Sequence, residues 1–131
     1  MEVRDAVEAD ADRLAELTDT PTDVMRNLVH DRTVRVAEDD DEVLGFVSFD
    51  ARRETVHVTQ LEGTTGAEER LLEEPCRFAR NEGMIVEMLV TGEDDDLQAI
   101  AEAAGFENQG TGPVFDGTPT VRYRLESGPA T

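Results

Sequence analysis

The run Glu62-Gly63-Thr64-Thr65-Gly66-Ala67 is the first place in this chain where residue types and spacing could do chemistry. It follows an alternating segment, Thr55–Leu61, and precedes a helically periodic one, so it reads as a turn between a strand and a helix. Backbone N–H groups at a helix start lack intrahelical acceptors, and the helix dipole favours an anion beside them. Gly63 and Gly66 would let the main chain approach a diphosphate closely. No Lys follows, so this is not a Walker motif, and it is not a GxGxxG run; a turn of this kind also serves as a plain connection. Two groups able to accept a proton lie just upstream, the imidazole of His57 and the carboxylate of Glu62. Each also fits a blander role, as a strand-surface histidine and a solvated acid.

Other chemistry-bearing residues carry less. Cys76 is the one cysteine, which excludes an internal disulfide, and it reads as a small apolar residue on a buried helix face. The acid run Glu38-Asp39-Asp40-Asp41-Glu42 lacks the spaced ligands and mid-loop glycine of a calcium loop. It reads as a solvated hairpin turn, and no metal site is expected. The single tyrosine, Tyr123, reads as a strand aromatic on a half-buried face. His30 suits the negative end of the helix before it.

The elements that must position these residues follow from periodicity. Met1–Ala6 reads as a first strand and Glu8–Leu17 as a helix with Ala11, Leu14 and Ala15 on one face. Thr20-Pro21 opens a second helix with the stripe Val24, Met25, Leu28 and Val29. Thr33–Ala37, Val43–Phe49 and Thr55–Leu61 form a meander of three antiparallel strands, turning at the acid run and at Arg52-Arg53-Glu54. A helix over 67–81, kinked at Pro75, ends at Gly83. The strand Met84–Val90 follows, and the strand–helix–strand order implies a right-handed crossover with parallel pairing. A helix led by Glu93–Asp96 runs to Ala104, Pro119–Leu125 is a last strand, and Glu126–Thr131 is a frayed tail. The fold class is α/β in one domain spanning 1–131, with no linker long enough to divide it.

Composition narrows the partners. There are 31 acids against 12 bases, a net charge of −19, and every base is arginine. With 38% hydrophobic residues in ordered patterns, the chain is a folded domain with an acidified surface rather than a disordered segment. Packed carboxylates repel one another in dilute buffer, and molar salt, with a Debye length of about 3 Å, removes that cost. A salt-adapted source organism is inferred. Nucleic acid and anionic membranes would be repelled, while a cationic amine would be attracted. The N-terminus lacks the basic start and apolar run of a signal peptide, and no apolar stretch could span a bilayer, so a cytoplasmic protein is expected.

The order of elements resembles the GNAT superfamily of acetyl-CoA-dependent N-acetyltransferases. Several motifs add to the likeness. Gly66 and the pair Leu71-Leu72 match the family's glycine loop and following helix, Asn81-Glu82-Gly83 its helix end, and Gly105-Phe106 its Gly-Phe. Val3-Arg4-Asp5-Ala6 is similar to its Ile-Arg-x-Ala start. The resemblance implies a mixed, mostly antiparallel sheet flanked by about four helices. It implies an N-acetyltransferase with acetyl-CoA as co-substrate and an amine attacking the thioester directly. The diphosphate would lie on Gly63, Thr64, Thr65, Gly66, Ala67 and Glu68, and the pantetheine along Val56, His57 and Val58. The next strand would splay away to leave a slot for thioester and amine. Glu62 or His57 would deprotonate the amine, and Met25, Leu28 and His30 would wall its pocket. Three positions depart from the family pattern. Gly63 stands at its Arg/Gln and Glu68 at its last Gly/Ala, and Ala101 occupies the place of its frequent tyrosine. A non-catalytic acyl-CoA sensor is therefore the alternative, and a homodimer built on an exposed strand edge is a further expectation.

Overall fold

The structure, a computed structural model, describes residues 1–126. Beyond Glu126 the expected frayed tail lies outside the described residues. The strands are β1 (Glu2–Asp5), β2 (Thr33–Asp39), β3 (Glu42–Arg52), β4 (Thr55–Gly63), β5 (Ile85–Thr91), β6 (Glu107–Phe115) and β7 (Thr118–Glu126). The helices are α1 (Ala11–Thr18), α2 (Thr22–Asp31), α3 (Thr65–Glu82) and α4 (Asp95–Ala103), with a 3₁₀ turn at Glu8–Asp10. The strands form one sheet in the order β1-β2-β3-β4-β5-β7-β6. The pair β4–β5 is parallel, whereas β1–β2, β2–β3, β5–β7 and β6–β7 are antiparallel. This is the expected mixed α/β architecture. None of the described helices is long and apolar enough to cross a membrane.

The chain divides into two compact units, with boundaries that fall within β3, β4 and α3. The first comprises Met1–Asp50 and Thr59–Glu74. In its core Ala11, Leu14 and Ala15 of α1 and Met25 of α2 cluster with Val34, Val36, Val43 and Phe46 of the sheet; of the rest of the expected α2 stripe, Leu28 and Val29 are partly buried against it and Val24 is exposed. The second comprises Ala51–Val58 and Pro75–Thr131. Its buried side chains include Val56, Val86, Met88, Val90, Ile100, Ala101, Phe106 and Tyr123. Pro75 lies within α3 without ending it.

Local chemistry explains the hairpins. The turn between β2 and β3 is Asp40-Asp41, with φ of 49° and 63°. Such a two-residue turn has the twist that antiparallel strands need, and Asp tolerates positive φ better than most residues. Asp116-Gly117, with φ of 49° and 79°, makes the same kind of turn between β6 and β7. The strand β6 was not expected from the sequence. Its register slips between Asn108 and Thr111 and again between Thr111 and Val114, so no clean alternation exists to read.

Arg4 joins β1 to the start of α1. Its guanidinium donates to both carboxylate oxygens of Asp10, at 2.9 and 3.0 Å, and to Glu38 at 3.0 Å. Asp10, nearly buried, also accepts from the N–H of Val7 at 2.8 Å. The Arg4 bonds, more than the opposing cost of burial, hold the Asp10 carboxyl below its ordinary range. A lowered folded-state pKa gives stability that is present above the unfolded carboxylate's pKa and lost as pH falls through the folded value. Asp10→Asn is therefore expected to destabilise the protein at neutral pH, with the gap from wild type closing as the pH falls below about 4. Urea midpoints measured across that range check it; a gap that persists undiminished into acid would refute the linkage.

Candidate functional site

The site begins with an irregularity in β3. Ala37 of β2 pairs with Gly45 and Glu38 with Val43, which leaves Leu44 without a partner in β2. The bulge bends β3 and turns Leu44 partly outward between two buried neighbours. The Leu44 carbonyl accepts the N–H of Thr64 at 3.2 Å. Here the backbones of β3 and β4 approach more closely than any side chain permits. A Cβ on Gly63 would lie 2.4 Å from the Leu44 oxygen and 2.5 Å from Gly45 Cα. A Cβ on Gly45 would lie 2.4 Å from the Glu62 oxygen. Gly63 also has φ +136°, a conformation side chains rarely allow. Its glycine is thus required by strand packing. Strand packing thus accounts for the glycine at 63 whether or not a diphosphate approaches it.

The turn expected over 62–67 is shorter in the structure, because the helix begins at Thr65. Thr64 caps it. Its hydroxyl accepts the N–H of Ala67 at 3.2 Å, and its carbonyl accepts the N–H of Glu68 at 2.9 Å. Three amides of the expected cradle, those of Thr64, Ala67 and Glu68, are thereby engaged within the chain. Thr65 and Gly66 are the first two helical residues, whose N–H groups have no acceptor within the helix. Both are exposed, and a Cβ on Gly66 would meet nothing within 4 Å. Glu68 is buried at 9% exposure and has an interaction within the fold. Of the expected cradle, Thr65 and Gly66 are thus the exposed residues at the open start of the helix.

The expected pantetheine edge also moves. Val56, His57 and Val58 are in parallel register with Val86, Glu87 and Met88 of β5, so β5 already occupies that edge. The side chains of Val56 and Val58 are buried. The ladder stops at Val58, and Thr59–Gly63 continue β4 beyond it. Thr59 is tied to β3, its hydroxyl 2.5 Å from the hydroxyl of Ser48.

Glu62, near the end of β4, lines an open groove of about 370 Å³ together with Arg13, Leu17, Glu42, Leu44, Gly63 and Thr64. Arg13 of α1 is held by its Nε, which donates to the Val43 carbonyl at 3.0 Å, and it lies 3.5 Å from Glu42. His57 is not among the lining residues and instead stands opposite Glu87 in the other unit. Of the residues expected to wall an amine pocket, Met25 is buried in the core of the first unit and Leu28 packs against it. His30 is exposed, 3.5 Å from Glu8. In the second unit Tyr123 is fully buried, and its hydroxyl donates to Glu102 at 2.8 Å. Burial first, and the Glu102 carboxylate second, push its pKa up to about 12. Ala101 is fully buried.

Sequence reasoning overlooked Gly45, Leu44 and Arg13. An isolated glycine inside the apolar run Val43–Phe49 was a legible signal of a bulge or close backbone approach. Arg13 carried no such signal, since its place in the groove depends on α1 meeting the start of β3.

As a sequence the chain matches no protein-family model and no curated protein. As a structure it resembles several solved proteins. One, from Desulfovibrio desulfuricans and assigned to the GNAT family of acetyltransferases, is 22% identical with a TM-score of 0.78, over 96% of this chain and 98% of that one. The ribosomal-protein-alanine N-acetyltransferase from Brucella melitensis is 18% identical with a TM-score of 0.82, over 96% and 99%. A Salmonella typhimurium protein assigned as an acetyltransferase, solved with its cofactor acetyl-CoA, is 18% identical with a TM-score of 0.84, over 100% and 96%. The chain therefore has the fold of the GNAT acetyltransferases.

Proposed function

We propose that this protein is an N-acetyltransferase that uses acetyl-CoA and delivers the acetyl group to an amine. The observation that carries the reading is the capped start of α3 at the end of β4, in a fold shared along the whole chain with a protein that holds acetyl-CoA. The thioester would supply an activated acetyl group. The amides of Thr65 and Gly66 would receive the diphosphate, and β4 beyond Val58 the pantetheine. Glu62, at the groove, would take the proton from the ammonium before the nitrogen attacks. The new N–C bond would form as the C–S bond breaks; the nitrogen would then give up its second proton to water, and the leaving thiolate would take one from water. His57, in the register of the β5 ladder, is the weaker base candidate.

A second reading, an acyl-CoA-binding module without catalysis, is favoured by the buried Ala101, which leaves no proton donor at that position of α4. Calorimetric titration with acetyl-CoA, followed by thiol release with a panel of amines, separates the two. Binding with turnover supports the enzyme and binding alone the module; failure to bind would sink both. We further propose that the chain is adapted to molar salt, which sets the buffer for these measurements.

Gly66 sharpens the test. Nothing in the chain requires glycine there, and alanine is the better helix former. Gly66→Ala is expected to stabilise the fold by about 0.5–1 kcal/mol. It should also weaken acetyl-CoA several-fold, by putting a methyl group where the diphosphate must approach. Unfolding midpoints and calorimetry on the same variant check both; unchanged affinity would remove Gly66 from the cofactor site.

A further inference from the structure

We propose that the groove at the end of β4 takes a free α-amino acid with an apolar side chain as acetyl acceptor, which rests on the acetyltransferase reading above. The groove brings together three kinds of group. Arg13 supplies a guanidinium, Glu62 and Glu42 supply carboxylates, and Leu17 and Leu44 supply apolar surface. A plain amine needs only the last two. A wall cation would disfavour it, and Arg13 is fixed at this wall by the Val43 carbonyl and by Glu42 3.5 Å away. An α-amino acid presents a carboxylate, an ammonium and a side chain from one carbon, and so matches all three.

The arrangement is built by the fold. The Nε bond to the Val43 carbonyl anchors the guanidinium, so little side-chain freedom is lost when an anion binds. A planar guanidinium meets a carboxylate with two parallel hydrogen bonds, which a carboxamide or alcohol cannot reproduce. The bulge at Leu44 turns that side chain toward the groove, where a regular strand would have continued the alternation. Glu62, on the neighbouring strand, faces the same space and is the carboxylate proposed to deprotonate the bound ammonium. The volume of about 370 Å³ lies in the range of small-molecule sites.

The test is binding without acetyl-CoA, so its outcome stands whether or not the cofactor reading does. L-leucine, L-leucinamide and 4-methylpentanoate would be titrated separately into the labelled full chain, in molar potassium chloride, following amide shifts of Leu17, Leu44 and Thr64 by NMR. L-leucine is expected to bind at least tenfold more tightly than either probe lacking one charge. Arg13→Gln is expected to bring L-leucine down to the level of leucinamide. Arg13→Lys, which keeps the charge but loses the planar fork, should fall between. Leucinamide binding as tightly as L-leucine would overturn the proposal in favour of a simple amine or peptide N-terminus. Absence of shifts with all three probes would overturn it outright. The wild-type series decides the matter even if Arg13→Gln fails to fold.

Discussion

Gly63→Ala is expected to lower the thermal unfolding midpoint by roughly 10 °C. The added carbon would meet the Leu44 carbonyl oxygen at 2.4 Å and Gly45 Cα at 2.5 Å. Both are backbone atoms of a sheet strand and cannot rotate aside as a flexible side chain would. Overpacking of this kind costs about 1–3 kcal/mol, and the conformation at φ +136° adds about 1–3 kcal/mol for any residue with a side chain. Relief requires β3 and β4 to part, which would break the bond from the Thr64 N–H to Leu44 and shift the start of α3. Acetyl-CoA affinity should therefore fall along with stability. Gly66→Ala separates the two effects, since it is expected to stabilise the fold while weakening the cofactor. Differential scanning calorimetry with titration of both variants checks the pair. A Gly63→Ala protein with an unchanged midpoint would show that the two strands are not as close as described.

Moving the wild-type protein from 0.1 M to 2 M potassium chloride is expected to raise its midpoint by roughly 10 °C or more. The arginines are already heavily committed: Arg4 to Asp10 and Glu38, Arg35 and Arg70 to Glu74, Arg32 to Asp50. Even complete pairing would leave 19 carboxylates without a base. Several acids stand side by side on exposed backbone, as at the hairpin Asp39–Glu42 and at Asp95-Asp96, the start of α4. Their mutual repulsion acts on the compact state more than on the expanded one, and a Debye length of about 3 Å at 1 M screens it. Arg4–Asp10 is better shielded, because Asp10 is nearly buried, so salt should remove the general repulsion with little loss of this specific bond. Potassium chloride is the right probe, since a strongly excluded salt such as sulfate would stabilise most proteins by another route. A midpoint flat across this range would refute the adaptation to salt.

How much was legible before the structure differs between fold and site. The stripe of α1, that of α2 apart from the exposed Val24, the alternation of β2 and β4, and the strand–helix–strand order came through, because one buried face imposes a period on the chain. The strand β6 did not. Two register slips and an almost wholly exposed length erase its alternation, although Asp116-Gly117 was a visible hairpin signal. The site was half legible. The helix start near Thr65 was found, but it was placed in a turn two residues too long, because a capping threonine and a turn threonine look alike until the Ala67 N–H is seen on the Thr64 hydroxyl.

Periodicity, charge and glycine spacing by themselves determined most of the strands and helices of this protein and its acidic composition, and singled out the segment around Thr65. Each is a property of residues close together in the chain. Only the tertiary structure decided which glycine is steric and which is open, where the β4–β5 ladder ends, and that Arg13 shares a groove with Glu62. Those depend on a one-residue bulge in β3 meeting β4 and α1, elements separated by up to about fifty residues of sequence, and no local pattern encodes a contact at that distance.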